Sequence, residues 1–228
     1  MPADPGSCRR MSRRQFFWNG IHVPFLSPWS DEQTHHGIIV RRRGPWGPGI
    51  AYADEDRFDR RLDALWVRKS AAPGIGKPSL AGVHALRQRQ AMTHMLCQVC
   101  GTSTFGRSDE RHLFLVRAPS GQPITEGERS ATPPVHEACA GEALRDCPEL
   151  RRGAAAALVE YHPVWGIAGI EYCPETLQPL PAEDNDDALT YVADTDPRYP
   201  WTLAARMVVT LHGCTAVDLE ELSLQTAA

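Results

Sequence analysis

The chain has 228 residues, 42% of them hydrophobic and 23% charged, a composition that excludes general disorder and allows a sizeable core without disulfides. Its net charge of −4 hides unlike halves: residues 1–96 hold 15 of the 24 basic and 8 of the 28 acidic side chains, a balance of +7, which leaves −11 for 97–228. Such asymmetry implies either regions that attract each other or one anion-facing basic surface, and no stretch approaches the roughly 18 apolar residues of a membrane span.

Residues 1–15 carry no periodic apolar pattern and read as a mobile tail, within which Met11 is a possible second start. Ser12-Arg13-Arg14-Gln15-Phe16-Phe17 resembles a twin-arginine export signal, but the segment after it is too polar and too short for the apolar region such a signal needs. The expectation is a cytoplasmic protein. Seven cysteines, an odd number, fit a reducing compartment and a metal better than a disulfide framework.

A basic α+β region is expected over 16–95. Gly37 to Val40 reads as a short strand ending in Arg41-Arg42-Arg43, and 44–49 as a loop. Asp54, Glu55, Asp56 and Asp59 before Leu62, Leu65 and Trp66 predict a helix whose first turn gathers acids; calcium-loop spacing is missing. Residues 73–79 imitate a phosphate loop, but Ala71 stands where a glycine is required and Pro78 follows Lys77, which excludes that reading. A helix is predicted over about 79–95, bearing His84, Arg87, Arg89 and His94.

The region 96–153 carries the strongest signal. Cys97 and Cys100 flank two residues, with Gly101 next to relax the turn, as in a zinc knuckle. A strand is expected from His112 to Arg117 and a returning strand ending near Val135. A helix then follows whose first turn holds His136 and Cys139, three apart and hence on one face. Two ligand pairs close a tetrahedron and leave no open position, so Cys97, Cys100, His136 and Cys139 are predicted to bind one structural Zn²⁺ in a treble-clef or zinc-ribbon arrangement. Cys147, eight residues beyond Cys139, falls off the ligand face and reads as a small packing residue, with a reserve place as ligand in His136's stead.

The runs Leu96 to Gly101, Pro133 to Ala140 and Cys147 to Gly153 resemble a group of uncharacterised actinobacterial zinc-binding proteins; similar stretches are Val83-His84, 86–89 and 163–166. The scarcity of lysine, only Lys69 and Lys77, fits a GC-rich genome. The resemblance implies a zinc protein in a bacterial or phage-derived context and no reaction.

An acidic α+β region is expected over 154–228, with strands at 157–161, 167–172 and 189–192, an acidic link at 183–187, and a helix from Trp201 to His212 on the spacing of Leu203, Met207 and Leu211, stopped by Gly213. The fold class is α+β, small antiparallel sheets with helices around a central zinc site.

Two functions fit. The preferred one is a zinc-stabilised binding or adaptor protein that contacts nucleic acid or a protein partner through Arg41, Arg42, Arg43, Arg87 and Arg89, with Trp29 and Trp46 as stacking groups. The alternative is an enzyme, hydrolase, nuclease-like or biosynthetic, whose zinc is purely structural and whose pocket between the halves gathers His84, His162, Asp194 or His212. His162 with Cys173, His212 with Cys214, and His112 as a nuclease-type base are its candidate groups.

Overall fold

The computed structural model describes residues 13–43, 47–182 and 188–224. Residues 1–12 of the expected tail 1–15, the loop residues 44–46 with Trp46, and the acidic link 183–187 lie outside the described residues, whereas Arg13 and Gln15, also expected in a mobile tail, donate to the Gly101 and Cys100 carbonyls at 3.2 and 3.1 Å.

The fold is mixed α and β, built on a six-stranded sheet and a three-stranded sheet. In the larger sheet Thr190–Ala193, Val164–Glu171, Thr202–Leu211, Ala64–Trp66 and Arg60–Arg61 follow one another, and Glu128–Ser130 also pairs with Thr202–Leu211. Every pairing is antiparallel except that of Ala64–Trp66 with Thr202–Leu211. The regions 16–95, 96–153 and 154–228 therefore share one sheet. The smaller sheet has the order Thr215–Val217, Ala154–Val159, His112–Arg117.

Side-chain alternation turns the smaller sheet into a partition. Phe114, Ala155, Ala157 and Val159 face a core shared with the large sheet and with Met92 of the helix Ala85–His94. Leu113, Leu115 and Ala156 face a second core with Cys97, Val99, Val135 and Leu222, closed by the helices Glu137–Asp146 and Leu219–Leu224. Successive strand residues point to opposite faces, so a strand buried on both sides must be apolar throughout. Residues 113–116 and the run Ala154–Val159 meet that demand, and the four alanines of the latter leave room for two layers.

The strands expected at 112–117, 157–161, 167–172 and 189–192 are present, with bounds His112–Arg117, Ala154–Val159, Val164–Glu171 and Thr190–Ala193. Two helices predicted from the sequence are not. Trp201 to His212 is the central strand Thr202–Leu211. Leu203, Met207 and Leu211 share one parity, so a spacing of four satisfies the strand period as well as the helical one, and Val208, Val209 and Thr210 favour the strand. The acid-rich stretch 54–66 is a turn followed by a tight hairpin, not a helix start. Asp56 Oδ1 accepts from the Phe58 amide at 2.7 Å and Asp59 Oδ2 from the Asp56 amide at 2.9 Å. Leu62 and Asp63 take φ of 51° and 60°, which joins Arg60–Arg61 to Ala64–Trp66 by a two-residue loop of the type that suits strand twist. The helix expected over 79–95 is shorter, Ala85–His94. The strand returning to Val135 is reduced to a single bridge between Leu113 and Val135, because Glu128–Ser130 pairs with Thr202–Leu211 and Ala154–Val159 takes the place beside His112–Arg117.

Gly166 and Gly169 allow the close contacts within the large sheet. A Cβ at either position would sit 2.1 Å from the Val192 carbonyl oxygen or 2.2 Å from that of Leu203, and the register slips beside both residues.

The helix Ala85–His94 is fixed by buried polar groups. His84 donates from Nε2 to the Ser70 carbonyl at 2.9 Å, which leaves Nδ1 to cap the Arg87 amide. Gln88 is fully buried; its amide accepts from the Met207 N–H and donates to the Met207 and Ala131 carbonyls at 2.9, 2.9 and 2.7 Å. Arg87, 6% exposed, donates to both oxygens of Glu32 at 2.6 and 2.7 Å and to the Ser27 carbonyl at 2.7 Å. Burial alone would raise the Glu32 carboxyl, but the bonds from Arg87 and from the Trp29 and Ala72 amides outweigh it and hold it below the usual carboxylate range.

Glu32→Gln is expected to destabilise the protein by about 3–5 kcal/mol in urea unfolding, because it leaves the Arg87 charge buried without its counter-ion. A depressed carboxyl contributes stability above its unfolded value near ~4.3 and loses it as the pH falls below that. The acid-side decline in melting temperature should accordingly be shallower in the variant, and an unchanged unfolding midpoint would contradict this role.

Candidate metal centre and basic surface

Cys97, Cys100, His136 and Cys139 converge as predicted. Their ligand atoms lie within 4.8 Å of one another, and no other such group of three or more occurs among the described residues. Cys97 and Cys100 sit on a turn in which the Gly101 amide donates to the Cys97 carbonyl at 2.8 Å and the Cys97 amide to the Thr102 carbonyl at 2.7 Å. Gly101 takes φ 70°, and a Cβ there would meet the Phe25 ring at 2.8 Å, so the position demands glycine. His136 caps the helix Glu137–Asp146 and Cys139 lies in its first turn. The two halves are held in register by the Gln98 amide, which donates to the Pro134 carbonyl at 2.9 Å, and by the Val135 amide, which donates to that of Leu113 at 2.8 Å.

The spacing suits a small tetrahedral ion. Metal–sulfur bonds of about 2.3 Å and metal–nitrogen bonds of about 2.0 Å place sulfur roughly 3.6 Å from nitrogen across a tetrahedron. Here Cys100 Sγ and Cys139 Sγ are 3.4 and 4.0 Å from His136 Nδ1. His136 Nε2 donates to the Ser103 carbonyl at 2.9 Å, which fixes the tautomer and leaves Nδ1 with its lone pair toward the sulfurs. Hydrogen bonds with Cys139, Cys97 and His136 draw the Cys100 thiol far below its ordinary range, and the same sulfur contacts push Cys139 up. A cation at the centre would take the place of the protons that these four groups hold. Cys147 stands outside the cluster and caps the helix end. The four residues could hold one metal ion with every ligand position filled by the protein.

The arginines predicted to meet nucleic acid divide into three groups. Arg41, Arg42 and Arg43, at the end of the hairpin Ile39–Arg41 with Ile50–Tyr52, line a concave surface enclosing about 910 Å³. Arg60 and Arg61 line the same surface, and sequence reading missed them because the stretch 54–66 looked helical. Arg89 lines a neighbouring cavity of about 330 Å³. Arg87 is a correction: it is buried in an ion pair with Glu32 and lies apart from the other predicted arginines, at a separate cavity of about 470 Å³. Trp29, 6% exposed and edge-on to Phe16, lines the same cavity as Arg87 and not the surface of Arg41, Arg42 and Arg43.

The candidate catalytic groups do not meet in one pocket. His84 is buried against Ser70 and the Arg87 amide. His212 contacts Glu126 at 2.7 Å and Thr210 at 3.2 Å, whereas Cys214 contacts the Thr125 carbonyl and Cys173 contacts Glu175. His162 does join His112, their ring centroids 5.3 Å apart, at a cavity of about 510 Å³. Thr104 donates to the Met95 carbonyl and its oxygen accepts from His112 Nδ1, both at 2.8 Å, so Nε2 is the ring's free acceptor. Burial, and then the charge of His162, pushes His112 down to about 4. Among the described residues no helix is long and apolar enough to cross a membrane.

The purified chain should carry about one divalent ion by elemental analysis. Cys139→Ser should lose it and melt earlier, and Cys147→Ser should keep it; full metal content in Cys139→Ser would remove that residue from the site. His112 should titrate at about 4 in a pH series of NMR spectra. Because that value lies below the unfolded one near ~6.5, the stability it contributes is complete above the unfolded value and lost as the pH falls from there to the folded value. A titration near neutrality would contradict the buried neutral ring. No family model, no curated protein and no solved structure matches this chain.

Proposed function

We propose that this chain is a zinc-stabilised nucleic-acid-binding protein of the cytoplasm. The observation that carries the reading is the meeting of Arg41, Arg42 and Arg43 with Arg60 and Arg61, from two separate hairpins, on one open concave surface. Glu55 and Asp63 on that surface pair with Arg60 and Arg42, whereas Arg43 and Arg61 are exposed. A cationic concavity of this kind tracks a phosphate backbone without reading its sequence.

The metal reading follows from the donors. Three sulfurs and one imidazole nitrogen within 4.8 Å of one another, a full set of four soft and borderline ligands, suit structural zinc. The order of knuckle, strand His112–Arg117, bridge at Val135 and helix Glu137–Asp146 carrying the second ligand pair supports a treble clef, with residues 118–134 as an excursion out of its hairpin. Every described cysteine is free, which supports a reducing compartment. The second reading, an enzyme braced by its metal, draws on the cavity shared by His112 and His162.

Fluorescence anisotropy should show weak binding of short oligonucleotides of any sequence, with an affinity that falls steeply as salt rises. Arg43→Ala should weaken binding about equally across sequences and reduce the salt slope by roughly one unit. If neither DNA nor RNA binds at low salt, the arginines serve a protein partner and the reading fails.

A further inference from the structure

The cavity of about 330 Å³ on the outer face of the helix Ala85–His94 is lined by Arg57, Arg60, Arg61, Arg89 and His94, with no carboxylate among the described residues of its wall. Its arginines are in different states. Arg60 is committed to Glu55, at 2.6 and 2.9 Å, and to the Ile50 and Asp63 carbonyls. Arg57 lies over the Phe58 ring at 4.7 Å and Arg89 over the Trp66 ring at 4.8 Å, and neither these two nor Arg61 forms an ion pair with a described carboxylate.

Two polar atoms at this wall are anomalous. Arg89 Nη1 and Thr93 Oγ1 are buried without a hydrogen-bond partner among the described residues. Arg87 Nε, away from this cavity, is also without a partner, but buried donors are nearly always satisfied, so two such atoms on residues lining one cavity call for an explanation. Burial, and then the charge of Arg61, pushes the Arg89 guanidinium below its ordinary value, with Asp59 acting in opposition. The site is short of negative charge and long in donors. Planar guanidiniums converging with a hydroxyl match the oxygens of a phosphate group.

Beside the cavity stands Phe58, 70% exposed, with its backbone amide held by Asp56. Arg57 covers the ring on one side. Arg60 and Arg61 line both this cavity and the surface that holds Arg41, Arg42 and Arg43, so one backbone can run through the two.

We infer that Arg57, Arg61, Arg89 and Thr93 form a phosphate subsite that takes one nucleotide of a single strand, with the phosphate among the guanidiniums and the base on the Phe58 ring. This assignment rests on the nucleic-acid reading and deepens it. A single strand offers the unpaired base that such a ring needs, whereas a duplex keeps its bases stacked within itself.

The test compares a labelled single strand, a duplex of the same sequence and inorganic phosphate. The variants are Phe58→Ala, Arg61→Ala and Thr93→Val, each checked by its melting curve, and Arg43→Ala serves as the groove control. Expected are a preference for the single strand, a loss on the order of tenfold in Phe58→Ala, and a loss of roughly threefold to tenfold in Thr93→Val. Phosphate should raise the melting temperature of the parent protein and not that of Arg61→Ala. Single-strand binding that weakens in Arg43→Ala and Arg61→Ala but stays unchanged in Phe58→Ala and Thr93→Val would overturn the subsite and leave the nucleic-acid reading standing. Equal binding of duplex and single strand would overturn the role of Phe58. Stabilisation by phosphate through Arg61 without any oligonucleotide binding would support the phosphate pocket and sink the nucleic-acid reading, and the absence of both responses would sink both.

Discussion

Arg87 and Gln88, two consecutive polar residues buried in one short helix, tie together parts of the chain that share no strand. Arg87 holds the segment around Ser27 and Glu32, and Gln88 holds the backbone of Met207 in the central strand. A buried guanidinium or amide is tolerable only when nearly all its hydrogen bonds are made, so each constrains its surroundings far more than an apolar residue would. The helix they fix presents Arg89 and Thr93 to the outer cavity, and it ends at Met95, two residues before Cys97. The metal centre and the basic surface therefore depend on one element being correctly seated.

The cysteine cluster works on the other side of the smaller sheet. Its ligands come from a turn near residue 100 and a helix start near residue 136, and the second core forms between them. Cys97 is fully buried and belongs to both the cluster and that core. A metal ion held by this group would link its affinity to the burial of Leu113, Leu115 and Val135.

The ligand set was legible in the sequence because metal chemistry imposes short fixed spacings, two residues between Cys97 and Cys100 and two between His136 and Cys139. The strands His112–Arg117 and Ala154–Val159 were legible as apolar runs, although their sandwiching between two cores was not. Thr202–Leu211 was misread because Leu203, Met207 and Leu211 fit both periods, and only burial on both faces decides between them. Arg87 was misplaced because its partner Glu32 lies 55 residues away, a distance across which spacing carries no information. Arg60 and Arg61 were overlooked for a local reason: the acids before them signal a helix start equally well as the tight turn they build.

The edge of Thr202–Leu211 that faces away from Val164–Glu171 is closed piecewise, by Ala64–Trp66 at Leu203 and Ala204, by the Gln88 side chain at Met207, and by Glu128–Ser130 from Val209 to Leu211. A long apolar strand with an open edge is a template for pairing with a second chain, the first step of ordered aggregation. The single amide of Gln88 covers the one place where neither flanking strand reaches. An apolar residue there would keep the helix packed yet bare a donor and an acceptor in the middle of the longest described strand, so this glutamine closes the stretch of edge that the paired strands leave open.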